Sequence, residues 1–258
     1  MFKFLARRQP PPAYTVPDGV RVYAIGDVHG RYDLLRAMLD LIDADDAARP
    51  PAEVHLILLG DLIDRGPQSA ETVEFARRLA TQTSNVQLLT GNHEEVFIAA
   101  AEGDRGNARA LLSMGGAPTL LSYGFSREEI ESGSYQDLAD LMVERIPRDH
   151  LDFLRAGRRY IQFGDYLFAH AGIRPGIDLE DQSDGDLRWI RRPFLDTPRG
   201  DGLLVIHGHT PARAIDIDLK NERIGIDTLA YESGILTAIG IEGDSRWFIQ
   251  TGEAPGAG

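Results

Sequence analysis

Three times in its first hundred residues the chain runs through a short apolar stretch, breaks at a glycine turn and switches to helical spacing. The stretches are "VRVYAIGD" from Val20, "VHLILLGD" from Val54 and "VQLLTGN" from Val86. Each is rich in the β-branched and long aliphatic residues that buried strands favour. "YDLLRAMLDLIDA", "SAETVEFARRLAT" and "HEEVFIAAA" follow them, with apolar residues spaced as on one buried face of a helix. Such units in succession predict a largely parallel central sheet with crossover helices.

The remainder reads differently. Residues 102–154 are helical and loop-like, with breaks at "MGGAP" and "RIPRD", and are expected to form a cap-like insertion on the same domain. Beyond them "RRYIQFGDYLFAHAG" has the pattern of a hairpin, and "LLVIHGHT", "AIDIDL", "ERIGID", "ILTAIGI" and "SRWFIQ" continue as short strands. These predict a second sheet packed on the first, with helices outside. At 258 residues the chain can bury one substantial core, and residues 20–250 are assigned to a single catalytic domain. A flexible Pro-rich lead-in, 1–19, and a frayed tail, 251–258, complete it.

Composition narrows the partners. Lys and Arg number 27 against 40 Asp and Glu, a formal charge of −13. Such a surface repels nucleic acid and anionic membranes. The absence of cysteine removes disulfides, thiolate metal sites and a cysteinyl-phosphate route. Phe2 to Ala6 is too short an apolar piece for a signal peptide and no run reaches membrane-spanning length, so a soluble, cytoplasmic monomer is the expectation.

The apolar runs share one kind of ending. Asp27 and His29 follow the first, Asp61 and Asp64 the second, Asn92 and His93 the third; His170, His207 and His209 follow later strands. In a parallel sheet the carboxyl ends of the strands lie side by side, so these side chains can converge on one pocket. Carboxylates, an amide oxygen and imidazoles together suit Mn, Fe or Zn rather than Ca or Mg.

In that order, "GDVHG", "GDLIDRG", "GNHE", "HAG" and "HGHTP" resemble the signature of the calcineurin-like metallophosphoesterases. "DRG" with "GNHE" is most similar to the phosphoprotein phosphatase branch, and within it to the bacterial and bacteriophage-type serine/threonine phosphatases. The likeness runs from about Arg21 to Gly240 and implies an α/β fold, a four-layer α/β/β/α sandwich of two mixed sheets flanked by helices. It implies two divalent metal ions, with Mn expected and Fe or Zn admissible. Asp27 and His29 would ligate the first, Asp61 would bridge both, and Asn92, His170 and His209 would complete the second. A water between the ions would be deprotonated near neutral pH and attack phosphorus in line, without a phosphoenzyme.

The same resemblance makes His93 the general acid and Asp64 the carboxylate that holds its tautomer. Arg65 would clamp phosphate with its planar charged fork. A second clamp is expected after the Trp of "LRWIRRPF"; Arg191 aligns best, with Arg188 and Arg192 as alternatives. In "HGHT" the branch's ligand is the His before Thr, His209, and His207 is the alternative second ligand. Leu229 and Ser233 stand where small glycines are usual in the family, which bears on the shape of the substrate.

The implied activity is metal-dependent hydrolysis of phosphomonoesters, with phosphorylated Ser or Thr of a protein or peptide as substrate. A symmetrical diadenosine tetraphosphate hydrolase is the alternative, although such relatives typically carry Ala at the Asp64 position and "GNHD" for "GNHE". A metal-bound scaffold without catalysis is the alternative of another class, and the His93–Asp64 pair argues against it. Plainer readings remain beside these. Asp27 could cap a helix starting near Arg31, Arg65 could be a structural ion-pair partner, and Glu94 could steady the His93 turn. His55 is expected to pack within a strand, His150 to face solvent, and "DLEDQSDGD" to be a solvated loop.

Overall fold

The apolar runs are continuous because their strands are buried on both faces. In β1 (Val20–Ile25), Tyr23 and Ile25 enter one hydrophobic cluster while Val22 and Ala24 enter a second, the two-residue alternation of a strand. The computed structural model, which describes residues 14–252, places β1 at the centre of a five-stranded sheet. β1 pairs in parallel with β2 (Glu53–Leu58), and β2 with β3 (Val86–Leu88). The connections are α1 (Tyr32–Ala47) and α2 (Ser69–Gln82), and α3 (Asn92–Ala101) leaves β3. Leu35, Met38 and Ile42 are the buried stripe by which α1 joins the first cluster.

The insertion comprises α4 (Arg105–Ser113), α5 (Ala117–Ser122), α6 (Arg127–Ser132), α7 (Tyr135–Arg145) and α8 (Arg148–Arg155). Short helices need their orphan amides satisfied, and here Asp104, Ser126 and Ser134 accept from the third residue of α4, α6 and α7. Leu111, Leu120, Leu138 and Met142 share the cluster that holds Phe97 and the α1 stripe. The insertion is therefore continuous with the core beneath it. His150 does not face solvent as expected: it is 7% exposed, with Nδ1 2.9 Å from the Tyr123 hydroxyl and Nε2 3.2 Å from Glu74. The Leu151 and Leu154 face of α8 turns it inward.

β4 (Tyr160–Phe163) and β5 (Tyr166–Ala169) form the expected hairpin. β6 (Leu204–His207), β7 (Asp216–Asp218) and β8 (Arg223–Gly225) complete a second sheet in the order β4-β5-β6-β8-β7, with β5, β6 and β8 parallel. Val22, Ala24, Ile57 and Leu59 of the first sheet meet Tyr166, Phe168, Ile206 and Ile224 of the second. The outer face of the second sheet is covered by α9 (Asp184–Trp189) and the loop after it, through Leu187, Ile190 and Phe194. After β8 comes the single turn α10 (Ala230–Ser233); β9 (Thr237–Glu242) and β10 (Ser245–Gln250) then add antiparallel to the β1 edge of the first sheet. Two mixed sheets flanked by helices are thus the architecture, with a thin fourth layer.

Three smaller expectations change. The stretch 178–186 is not all solvated loop: Ser183 caps α9, and buried Gln182 donates to the carbonyls of Arg174 and Ile177. Residues 1–13 of the lead-in lie outside the described residues, but Tyr14 and Val16 are buried against the inter-sheet core rather than loose. Residues 253–258 of the tail also lie outside, whereas Thr251 is buried and accepts from Leu236 N–H at 2.8 Å. No helix among the described residues is long and apolar enough to cross a membrane.

Candidate metal centre

The carboxyl ends of β1, β2, β3, β6 and β8 deliver Asp27, Asp61, Asn92, His209 and Asp227 to one cavity of about 250 Å³. His170, after β5, stands behind Asn92 with its Nε2 3.0 Å from the amide oxygen. Getting them there strains the backbone. Among the described residues, the non-glycine residues with positive φ are His29, Asp61, Asp64, Arg65, His209, Leu229 and Glu222. All but Glu222 are candidate site residues or line the cavity. Such conformations cost about 1–3 kcal/mol each and persist where the surroundings over-determine them.

Two motif glycines have a steric reason. A Cβ on Gly208 would collide with the Asp27 carboxylate, and one on Gly91 with the carboxylates of Asp61 and Glu94. Only a bare backbone lets these acids lie flat against the "HGH" and "GNHE" turns. Glu94 is fully buried and accepts from Asp61 N–H at 2.8 Å, Leu62 N–H at 2.7 Å and Gly91 N–H at 2.9 Å. It ties the β2 and β3 turns together, the steadying role read from sequence.

The ring orientations show what the site is built to hold. His29 Nδ1 donates to the Ile63 carbonyl and His170 Nδ1 to the Leu59 carbonyl, both at 2.8 Å. A carbonyl can only accept, so each Nε2 keeps its lone pair and turns it into the site. His170 Nε2 then faces two further acceptors, Asn92 Oδ1 at 3.0 Å and Asp61 Oδ1 at 3.4 Å. His209 Nδ1 lies 2.8 Å from the same Asn92 oxygen. At His170 a lone pair is thus set against acceptor oxygens, an arrangement that positive charge between them relieves.

Donor atoms of Asp61, His170 and His209 lie within 4.8 Å of one another, as do those of His29, Asp61 and His93. Asp61 belongs to both groups, the position of a bridging carboxylate. Asp27 lies outside both, but its Oδ1 is buried without a partner, and its Oδ2 accepts from His209 N–H at 2.9 Å. These donors fit a pair of divalent cations. Burial, with Asp227 and Asp61 nearby, pushes the Asp27 carboxyl well above its ordinary range. Burial likewise raises Asp61 to about 8 and raises Asp227. The imidazoles move the other way: burial lowers His29 and His170, and lowers His209 to about 4. A pocket of neutral ligating rings around reluctant anions is the electrostatic complement of dications.

His93 is different. Its Nδ1 meets Asp64 Oδ2 at 2.6 Å, and its Nε2 points toward Asp61 Oδ2 at 3.8 Å. Burial opposes its charge, but Asp61 and Asp64 outweigh that and raise it to about 9. Thr119 donates to Asp64 Oδ1, and the Asp64 N–H donates to Thr119 Oγ1 at 2.8 Å. Arg65 is no surface ion pair: it lines the cavity, with Nη1 2.6 Å from the Tyr231 hydroxyl and its guanidinium over the Tyr231 ring. Of the three arginines that flank Trp189 in sequence, Arg191 lines the cavity, Arg188 pairs with Glu95 and Asp184, and Arg192 is 82% exposed beside Asp196. His207 turns away: its Nδ1 donates to the Gly208 carbonyl at 2.9 Å and its ring packs edge-on to Phe194. Asp27 caps no helix, since α1 begins at Tyr32 without a side-chain cap.

Sequence reasoning missed Thr119, Asp227 and Tyr231. Asp227 had a readable signal, since it ends β8 as Asp61 ends β2. Thr119 and Tyr231 had none, because Thr119 reaches the site from the insertion and Tyr231 from the single turn α10.

The fold and donor set are those of a phosphoesterase. The chain matches the calcineurin-like phosphoesterase family over residues 20–235 and belongs to that family. It is 32% identical over 160 residues to a symmetrical bis(5'-nucleosyl)-tetraphosphatase of Methylococcus capsulatus, covering 62% of this chain and 45% of that protein. It is 28% identical over 221 residues to PrpE, an asymmetrical bis(5'-nucleosyl)-tetraphosphatase of Halalkalibacterium halodurans, covering 83% and 87%. A crystal structure of a candidate diadenosine tetraphosphatase matches with a TM-score of 0.61 at 20% identity, covering 93% of this chain and 98% of that one, a likeness of fold. The chain spans less than half the length of the Methylococcus relative.

Proposed function

We propose that this chain hydrolyses the phosphoanhydride bonds of dinucleoside polyphosphates in a metal-dependent reaction. The observation that carries this reading is that its curated relatives, at up to 87% coverage of their length, are named for both symmetrical and asymmetrical cleavage of bis(5'-nucleosyl)-tetraphosphates. It reverses the order that "DRG" and "GNHE" suggest from sequence.

Asp27, His29 and Asp61 would hold one cation, and Asp61, Asn92, His170 and His209 the other. When bound, such a pair, with Mn expected, supplies an acidified water and neutralises charge on the phosphoryl group. The protein's own residues do the rest. Arg65 and Arg191 orient the non-bridging oxygens from the cavity wall. As the water oxygen bonds to phosphorus and the bridging P–O bond breaks, His93 Nε2 gives its proton to the departing oxygen. Asp64 keeps the second proton on Nδ1 and stabilises the charged ring beforehand.

A second reading, dephosphorylation of Ser or Thr in proteins, is favoured by the His93–Asp64 contact itself, because an alkoxide leaving group needs an acid most. The test is turnover of diadenosine tetraphosphate beside a phosphothreonine peptide in Mn-supplemented buffer, with wild type and Asp61→Asn. Dinucleotide cleavage that exceeds peptide cleavage and vanishes in the variant supports the proposal. Preference for the peptide sinks it in favour of the second reading.

A further inference from the structure

We propose that Trp189 is the platform on which a nucleobase of the substrate stacks, an inference that rests on the dinucleotide reading above. The cavity does not enclose a whole dinucleotide: at about 250 Å³ it falls below the roughly 300–1,000 Å³ of pockets that enclose drug-sized ligands. It takes the reacting phosphates, and the nucleoside must lie at the mouth. Trp189 lines the cavity and is 42% exposed, a large apolar ring left open to solvent near Arg191, which lines the same cavity. Exposure of this kind in a catalytic cleft is informative where a lone surface Leu is not.

The indole is also held still. Its Nε1 donates to Glu95 Oε2 at 3.1 Å, and its ring lies edge-to-face with His209, centroids 6.4 Å apart. Leu187 and Ile190, buried on either side of it in sequence, fix the end of α9 to the second sheet. A ring fixed at its edge loses little freedom when a base covers its face. Tyr231, the other aromatic of the cavity, is already engaged: the Arg65 guanidinium lies 4.9 Å over its ring, and His29 meets it edge-on at 5.4 Å.

The experiment compares diadenosine tetraphosphate with inorganic tripolyphosphate, the same anhydride without a base, in Mn-supplemented wild type, Trp189→Phe and Trp189→Ala. Base stacking on an aromatic side chain predicts that Trp189→Ala raises KM for the dinucleotide about tenfold more than KM for tripolyphosphate. Trp189→Phe keeps most of the affinity. Equal losses on both substrates, or none on either, overturn the platform.

Failure of the substrate reading is read separately. Trp189 and Trp247 are the two tryptophans, so in Trp247→Phe the intrinsic fluorescence reports Trp189 alone. If wild type leaves the dinucleotide intact, quenching by ADP but not by pyrophosphate still upholds the stacking site. Absence of quenching by ADP removes it.

Discussion

The Thr119 hydroxyl donates a 2.6 Å hydrogen bond to the Asp64 carboxylate, joining residues 55 apart in the chain. Asp64 in turn holds His93, so the insertion reaches the proposed general acid through a single hydroxyl. Gly115 O accepts from Arg65 N–H at 2.8 Å, a second link from the same segment. The insertion, silent in sequence, thus positions two residues of the site.

Thr119→Val keeps the shape and removes the hydroxyl. A hydrogen bond to a charged group contributes about 1.5–3 kcal/mol, so kcat is expected to fall roughly tenfold or more, with KM little changed. Thr119→Ser should restore most of it. Steady-state kinetics on all three proteins decide the matter, and an unchanged kcat in Thr119→Val would remove the link between insertion and acid.

The demand on His93 depends on the leaving group. A nucleoside polyphosphate departs as a stable anion, whereas serine departs as an alkoxide that must be protonated. His93→Asn should therefore slow phosphoserine hydrolysis by about 10²–10⁴-fold and anhydride hydrolysis by distinctly less. Equal losses on the two substrates would sink the general-acid assignment.

Metal removal should show as a pH-dependent stability. Burial raises the Asp61 carboxyl to about 8, so the metal-free fold takes up more protons than the unfolded chain and loses stability as pH rises toward 8. Burial lowers His209 and His207 to about 4, so their contribution is present above the ordinary histidine range and is lost as pH falls toward 4. The metal-free protein should therefore lose stability between pH 6.5 and 8. Added Mn should abolish that alkaline decline, which thermal melts at pH 6.5 and 8 with and without metal can check. A flat alkaline limb without metal contradicts the buried-carboxylate account.

Gly208→Ala puts a methyl group into the Asp27 carboxylate. One of the two must move, and bound metal per chain is expected to fall along with activity. Elemental analysis after dialysis measures the first and phosphate release the second. Full metal content in a folded variant would show that metal binding does not need the close approach of Gly208 to Asp27.

Most of the fold was legible because strands buried on both faces leave uninterrupted apolar runs, as in "VYAI" and "LILL". The convergence of Asp27, Asp61 and Asn92 was legible for a related reason, since parallel strands place their ends together. His150 was misread because one polar residue in a short amphipathic helix does not reveal which neighbour shields it, here Tyr123 and Glu74. Tyr231 was invisible because its place depends on a single helical turn set between two left-handed residues, Leu229 and Gly234. Such local backbone geometry leaves no periodicity to read.

Asp61 follows a strand of one sheet and His170 a strand of the other, and their candidate donor atoms lie 3.4 Å apart. A cation held there would rivet the two halves of the sandwich across their seam. Starvation for metal would then shorten the life of the molecule as well as silence it: the seam would breathe, and proteases would reach strands that a loaded protein keeps shut.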